Sequence, residues 1–319
     1  QRLARMLVDA PAAIRAALPE AARRFRLAER PLERAAAAAS ALGAAAGVHE
    51  LFAVCRAEAR LELDGLANLV NPRFALGELV LPPAQTQQLC EIVSAMAVLG
   101  RVHDEWGTAR VWNDAGLSVL FSGPPGTGKT MAAEALANAL ALPMYRIDLS
   151  QVVNKYIGET EKNLGRVFDE AARGQVMLLF DEADSLFAKR TEVRSSNDRY
   201  ANLEVNYLLQ RLEAHEGVVV MTTNSENALD PAMRRRIRFR LRFPAPDEAQ
   251  RTRLWQGMVP KEAQLADDVD LSVLAKRFPL AGGNIMNALV RAATAAAADG
   301  GPIRQQHLVR AAEFEYAEM

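Results

Sequence analysis

Gly123-Pro124-Pro125-Gly126-Thr127-Gly128-Lys129-Thr130 fits the pattern G-x-x-x-x-G-K-[ST]. The apolar run Leu117–Phe121 precedes it as an expected strand, and Met131–Leu142 follows it as an expected helix. That context is what the pattern requires. The loop's backbone N–H groups can wrap a phosphate chain, and the helix N-terminus adds its dipole. Glycines at 126 and 128 let the backbone approach phosphates with no Cβ in the way. Lys129 is placed to reach the β- and γ-phosphates, and the Thr130 hydroxyl to ligate Mg2+. The bland alternative is a Gly/Pro-rich turn before a helix, and the flanks weigh against it. Gly123, Pro125, Gly126, Thr127, Gly128, Lys129, Thr130 and Met131 form the expected nucleotide-binding set. The chain reads as a binder of a nucleoside triphosphate.

A second feature separates binding from hydrolysis. Val176–Phe180 reads as a buried strand and runs into Asp181-Glu182-Ala183-Asp184. In a phosphate-loop sheet the first acid helps hold Mg2+, and the second orients or deprotonates a water. Asp184 suits the N-cap of a helix starting at Ser185-Leu186-Phe187. Asp181 and Glu182 fit that bland role poorly, because charge buried at a strand end calls for a compensating cation. Another expected strand, Val218–Thr222, leads to Asn224. A carboxamide there can hydrogen-bond the γ-phosphate and the attacking water. A turn-forming Asn in Asn224-Ser225-Glu226-Asn227 fits the same residues.

The chain has 319 residues, half of them apolar and 24% charged, which suits a globular protein of two or three domains. A formal net charge of −1 gives no sign of a nucleic-acid partner. No apolar run approaches membrane-spanning length, so no membrane partner is expected. Cys55 and Cys90 suggest neither a disulfide scaffold nor a metal site, and a cytoplasmic setting follows from that. The chain opens on Gln1 in a helical pattern, which predicts a start partway through a longer protein.

Residues 1–70 read as short helices without strands, broken at Pro11, Pro19, Pro31 and 43–47. A loop and a short extended piece at 77–82 lead to an amphipathic helix over Gln85–Leu99. Strand and helix signals then alternate to residue 245, which predicts a parallel sheet with helices on both faces. Helices return from 246 to 319. The expected fold is α/β: a P-loop NTPase sheet at 71–245, a C-terminal helical lid at 246–319, and an all-α segment at 1–70. Arg24–Ala35 parallels Arg277–Ala288, and each stretch leads into an Ala-rich helix. On that reading, residues 1–70 are the lid of a preceding, degenerate module. Glu29-Arg30 stands there where the second copy has Gly282-Gly283.

Beyond Asn224, Asp230-Pro231-Ala232 is followed by arginines, and Ile237, Phe239, Leu241 and Phe243 alternate with arginines as a strand with one basic face. Guanidinium groups there suit stabilisation of charge on a transferred phosphoryl group. Together the loop, Asp181-Glu182, Asn224 and this arginine block resemble the AAA ATPases over about residues 72–319. The resemblance implies that Glu182 activates water, that Asp181 supports Mg2+ with Thr130, and that Asn224 is the polar sensor. It implies that Arg235 and Arg238 face the neighbouring subunit's nucleotide in a ring, commonly of six. The implied cofactors are ATP and Mg2+, and the implied partner is a protein substrate.

Two further matches come with the family. Lys155-Tyr156-Ile157-Gly158-Glu159 resembles the loop that projects an aromatic into a central pore, against the alternative of a packed surface tyrosine. The charged stretch 189–200 resembles a second such loop. The resemblance implies that Gly283, in Gly282-Gly283-Asn284-Ile285, approaches the adenine and ribose, and that Gly77, in Leu76-Gly77-Glu78, supplies backbone contacts to the base from the other side. The blocks Lys155–Leu164, Asp198–Glu204 and Arg277–Ile285 resemble more narrowly the ATPase found with phage-tail-like contractile injection systems. A P-loop small-molecule kinase and a nucleotide-gated scaffold with little turnover are the alternatives from other classes.

Overall fold

The computed structural model describes residues 11–24, 29–42, 47–58, 63, 65–105, 116–152, 158–174, 176–184, 206–225 and 235–319. Its centre is a six-stranded sheet in the order β1-β3-β4-β5-β2-β6. The strands are β1 (Ala67–Val70), β2 (Leu117–Ser122), β3 (Met144–Ile147), β4 (Met177–Phe180), β5 (Val218–Thr223) and β6 (Phe239–Arg242). Every pairing is parallel except that of β1 with β3. β2, β4 and β5 are buried along their whole length, as strands covered on both faces must be.

Before the sheet come helices α1 (Ala12–Arg24), α2 (Glu29–Ser40) and α3 (Val48–Glu58), then a 3-10 turn at Leu76–Glu78 and α4 (Pro83–Glu105). Within the α/β unit lie α5 (Lys129–Leu140), α6 (Leu149–Val152), α7 (Glu159–Gly174) and α8 (206–214). The C-terminal part holds α9 (Glu248–Met258), α10 (Leu271–Arg277), α11 (Gly282–Ala298) and α12 (Gln305–Ala317).

Two apolar layers sandwich the sheet. Leu178, Phe180, Val219 and Met221 pack against Leu164, Val167 and Phe168 of α7 and Leu208, Leu209 and Leu212 of α8. On the other face Val119, Phe121, Leu179 and Val220 meet Leu89 and Ile92 of α4 and Ala132, Ala133 and Leu136 of α5. Separate cores hold the flanking helices, around Trp255, Phe278, Ile285 and Leu308 in the C-terminal bundle and around Ile14, Leu51 and Phe52 in the N-terminal one.

Three expectations need correction. The stretch read as strand-free contains β1, which joins the sheet as its antiparallel edge. Its residues Ala67-Asn68-Leu69-Val70 are none of them fully buried, so neither alternation nor a continuous apolar run marks it. The extended piece read at 77–82 includes part of the 3-10 turn at Leu76–Glu78, closed by Glu78 accepting from the Ala75 N–H at 2.6 Å. Neither Pro19 nor Pro31 breaks a helix, because α1 runs through the first and α2 through the second, which sits in its first turn.

Candidate nucleotide site

The strand order puts the phosphate-loop strand β2 beside β5, with β4 on the far side of β5. All three run parallel, so their C-terminal ends open into one crevice, where open α/β sheets place ligands. The loop leaves β2 at Ser122 and is tethered to both neighbours. Gly123 N–H donates to Thr223 O at 3.2 Å, and Phe243 N–H donates to Ser122 O at 2.7 Å. Gly123 has no room for a side chain, since an added Cβ would lie 2.1 Å from Phe243 O. Gly126 and Gly128 hold φ of 74° and 95°, the left-handed region that glycine enters without strain.

Lys129, the first residue of α5, is only 8% exposed. Its ammonium donates to Gly123 O at 2.7 Å, Pro124 O at 2.8 Å and Asn224 Oδ1 at 2.9 Å. Burial pulls Lys129 below its ordinary pKa, while Asp184, Asp181 and Glu182 work against that pull. The Lys129–Asn224 bond joins the start of α5 to the end of β5 and sets a cation beside a carboxamide.

Asp181 is the second hub. Its Oδ1 accepts from Thr222 Oγ1 at 2.6 Å and from Thr130 Oγ1 at 3.1 Å. Its Oδ2 lies 3.1 Å from the Arg146 guanidinium of β3. Glu182 follows with φ of 54°, one of two left-handed non-glycine residues among those described. Its N–H donates to Thr222 Oγ1 at 2.9 Å, and Ala183 N–H donates to Thr222 O at 2.9 Å. Thr222 therefore fixes both acids. Asp184 takes a role that helix capping did not anticipate: it accepts from the Asn224 N–H at 2.8 Å and from the Thr223 hydroxyl. That carboxylate ties the end of β4 to the end of β5 and sets where Asn224 begins.

Thr222, Asp184 and Arg146 were missed in sequence. Thr222-Thr223 carried a signal, since hydroxyls ending a buried apolar strand need partners. Met131 lies partly buried on the first turn of α5, while Pro125 and Gly126 are exposed. Thr127 closes the loop on itself through Oγ1 to Pro124 O at 2.8 Å. Gly283 touches the loop itself, its N–H donating to Gly126 O at 3.0 Å. A Cβ on Gly283 would come within 3.1 Å of Gly126 Cα, so helix α11 seats its N-terminus directly on the phosphate loop. Gly77 is exposed in its 3-10 turn. That segment is pinned to α5 by Arg73 N–H to Glu134 at 3.1 Å and Asn138 to Phe74 O at 3.2 Å.

Arg235 and Arg238 are exposed. The Arg238 N–H donates to Ser118 Oγ at 3.2 Å, level with the start of β2 rather than its end. Lys155, Tyr156 and Ile157 lie outside the described residues, as do 189–200.

A triphosphate with a divalent cation fits the residues present. Gly128 faces open space, since an added Cβ would meet nothing within 4 Å. Thr130 and Asp181 offer oxygen donors, which suit a hard cation that keeps waters and shares phosphate oxygens. Among the described residues no group of three or more His, Cys, Asp or Glu could hold a metal alone, so phosphate oxygens would have to complete the shell. Among those residues, too, no helix is long and apolar enough to cross a membrane.

Residues 119–246 match the family model "ATPase family associated with various cellular activities (AAA)". The chain is 38% identical over 162 residues to the cell division cycle protein 48 homolog of Archaeoglobus fulgidus, covering 50% of this chain and 22% of that protein. It is 31% identical over 216 residues to the 26S proteasome regulatory subunit 6B homolog of Saccharomyces cerevisiae, covering 66% of this chain and 49% of that one. A probable 26S proteasome regulatory subunit 6B of Caenorhabditis elegans is also 31% identical, over 230 residues, 70% of this chain and 54% of that protein. The chain thus spans about half or less of these relatives. A phosphate loop between strand and helix and two strand-end acids fall within the matched span, so residues 119–246 are similar to the AAA ATPase domain.

Proposed function

We propose that the chain hydrolyses ATP to remodel, unfold or disassemble a protein. The supporting observation is the Lys129–Asn224 bond beside the Thr130–Asp181 pair, at the ends of adjacent parallel strands. Lys129 and the loop N–H groups bind the phosphates, while Thr130 and Asp181 would hold Mg2+. A bound Mg2+ supplies charge neutralisation on the transferred group. Glu182 takes the proton of the attacking water, and Asn224 orients that water. Gly283 and Gly77 approach the base from the lid and from the 3-10 turn. Lys129→Ala is expected to abolish ATP binding measured by equilibrium titration, and unchanged affinity would refute the site.

Arg235 and Arg238 serve a neighbouring subunit's nucleotide, which calls for a ring, in the family habit a hexamer. The substrate is a protein rather than nucleic acid or membrane, a reading supported by neutral net charge and by relatives named as proteasome regulatory subunits. Tyr156, flanked by Lys155 and Ile157, grips an extended chain in the pore. Tyr156→Ala should keep basal phosphate release and lose substrate remodelling; remodelling equal to wild type would remove threading through this loop. The motif blocks at 155–164, 198–204 and 277–285 favour a place beside a contractile injection system in the cytoplasm.

Residues 1–70, apart from β1, are the lid of a preceding degenerate module, ahead of the large domain to 245 and the lid from 246 to 319. In support, α1–α3 and α10–α12 each form a bundle in which the last helix packs on both helices before it. The scaffold alternative predicts ATP binding without steady-state phosphate release. A small-molecule kinase would instead yield a phosphorylated acceptor.

A further inference from the structure

Asp181 is crowded. Both hydroxyls on its Oδ1 and the Arg146 guanidinium on its Oδ2 leave neither carboxylate oxygen unengaged, and its side chain is only 9% exposed. Arg146 differs from the other partners. It comes from β3 rather than from the phosphate loop or β5, it carries a full positive charge, and its side chain is 54% exposed. A second carboxylate lies within its influence. Asp148, two residues further along, has its carboxyl held below the ordinary value first by the Ser150 hydroxyl and in smaller part by Arg146. Two carboxylates thus feel the guanidinium, and Asp181 is the one in contact with it.

We propose that Arg146 competes with the divalent cation for Asp181, so that the metal site forms as Arg146 withdraws from that carboxylate. This rests on the reading of Asp181 and Thr130 as the metal-supporting pair. The Thr130 hydroxyl can donate to Asp181 Oδ1 while its lone pair faces a cation, so Thr130 need not move. Oδ2 is different, because Arg146 holds it, and a cation's bound water turned toward that oxygen would meet the guanidinium there. Two positive groups sharing one carboxylate also repel each other, and the repulsion is strongest where water is scarce. Arg146 is in this sense a positioning residue: it sets the metal concentration at which Asp181 is released from its ion pair.

The test is Mn2+ binding to the full chain saturated with ADP, read as loss of the free-ion electron paramagnetic resonance signal. Arg146→Gln should bind Mn2+ on the order of tenfold more tightly at low salt, with the gap to wild type narrowing as salt is added. Arg146→Met, which keeps the apolar stem, should shift the same way, whereas Arg146→Lys, which keeps the charge, should stay near wild type. Equal or weaker Mn2+ binding by both uncharged variants overturns the competition. Asp181→Asn separates the two levels of the claim. If it weakens Mn2+ binding while the Arg146 variants do nothing, the metal site stands and the competition falls. If it leaves Mn2+ binding unchanged, the metal-site reading fails, and this inference with it.

Discussion

At the scale of single residues, Glu182 shows a conflict between stability and chemistry. Its φ of 54° puts a side chain where L-residues pay a steric penalty, and Thr222 holds it there through the Glu182 N–H. Such strain persists where a function needs the side chain aimed in one direction. Glu182→Gln keeps the shape and hydrogen-bonding ability but cannot act as a base. It should cut phosphate release by about a hundredfold or more while ATP affinity changes little. Wild-type turnover in that variant would remove Glu182 from the mechanism. Glu182→Gly should also be inactive, yet more stable by roughly 0.5–1 kcal/mol in urea unfolding, because glycine adopts this φ freely. A less stable glycine variant would mean that the contacts of the Glu182 side chain outweigh the strain.

At the scale of elements, the loop between α8 and β5 carries a buried cost. His215 is 5% exposed, stands edge-on to Phe168, and its Nε2 has no hydrogen-bond partner. Burial first, and the nearby Arg211 second, push its pKa down to about 4 from the ordinary 6.5. The unfolded chain therefore binds the proton more readily than the folded one between those values. Stability is full above about pH 6.5 and falls as pH drops toward 4, by on the order of 3 kcal/mol in all. Between pH 6.5 and 5 this loss is separable from that of Asp148 and Asp270, whose pKa values are lowered from 3.8 and whose contribution disappears only below that. Urea midpoints of wild type should fall across this window, while His215→Phe should show a flatter profile. A wild-type midpoint that holds constant from pH 6.5 to 5 would contradict the assignment.

The same scale shows what could be read in advance. β2, β4 and β5 are mostly apolar because both faces are covered, and a run of that kind is visible in one dimension. β1 was invisible because it is a short edge strand held by one neighbour and has no buried position. Lys129, Thr130, Asp181 and Asn224, which the structure brings together in pairs, could be picked out in sequence because motif spacing marks them. Asp184 and Thr222 were not, since their partners lie about forty residues away and meet only across adjacent strand ends.

At the scale of the whole molecule, the arginines decide whether one chain suffices. Phe239 pairs with Val119, and the Arg238 N–H reaches Ser118, whereas the phosphate loop leaves the same strand at Ser122. Four residues of extended strand, about 13 Å, therefore separate Arg238 from the loop of its own chain. Arg235 lies farther back still along the sequence. The backbone at 236–238 thus lies level with the start of β2, at the end away from Lys129. If they stabilise transferred charge at all, they do so on a neighbour, through a head-to-tail contact of the kind that closes into rings. Arg235→Ala and Lys129→Ala chains should each be nearly inactive alone. Mixed, they should regain a fraction of wild-type phosphate release, because an Lys129→Ala subunit can lend its arginines to an Arg235→Ala neighbour that still binds ATP. The recovery should depend on total protein concentration, since it requires association, and should vanish when the Lys129→Ala chain also carries Arg235→Ala and Arg238→Ala. Mixing that restores nothing, under conditions where wild-type chains are active and associated, would place the arginines outside the intersubunit site.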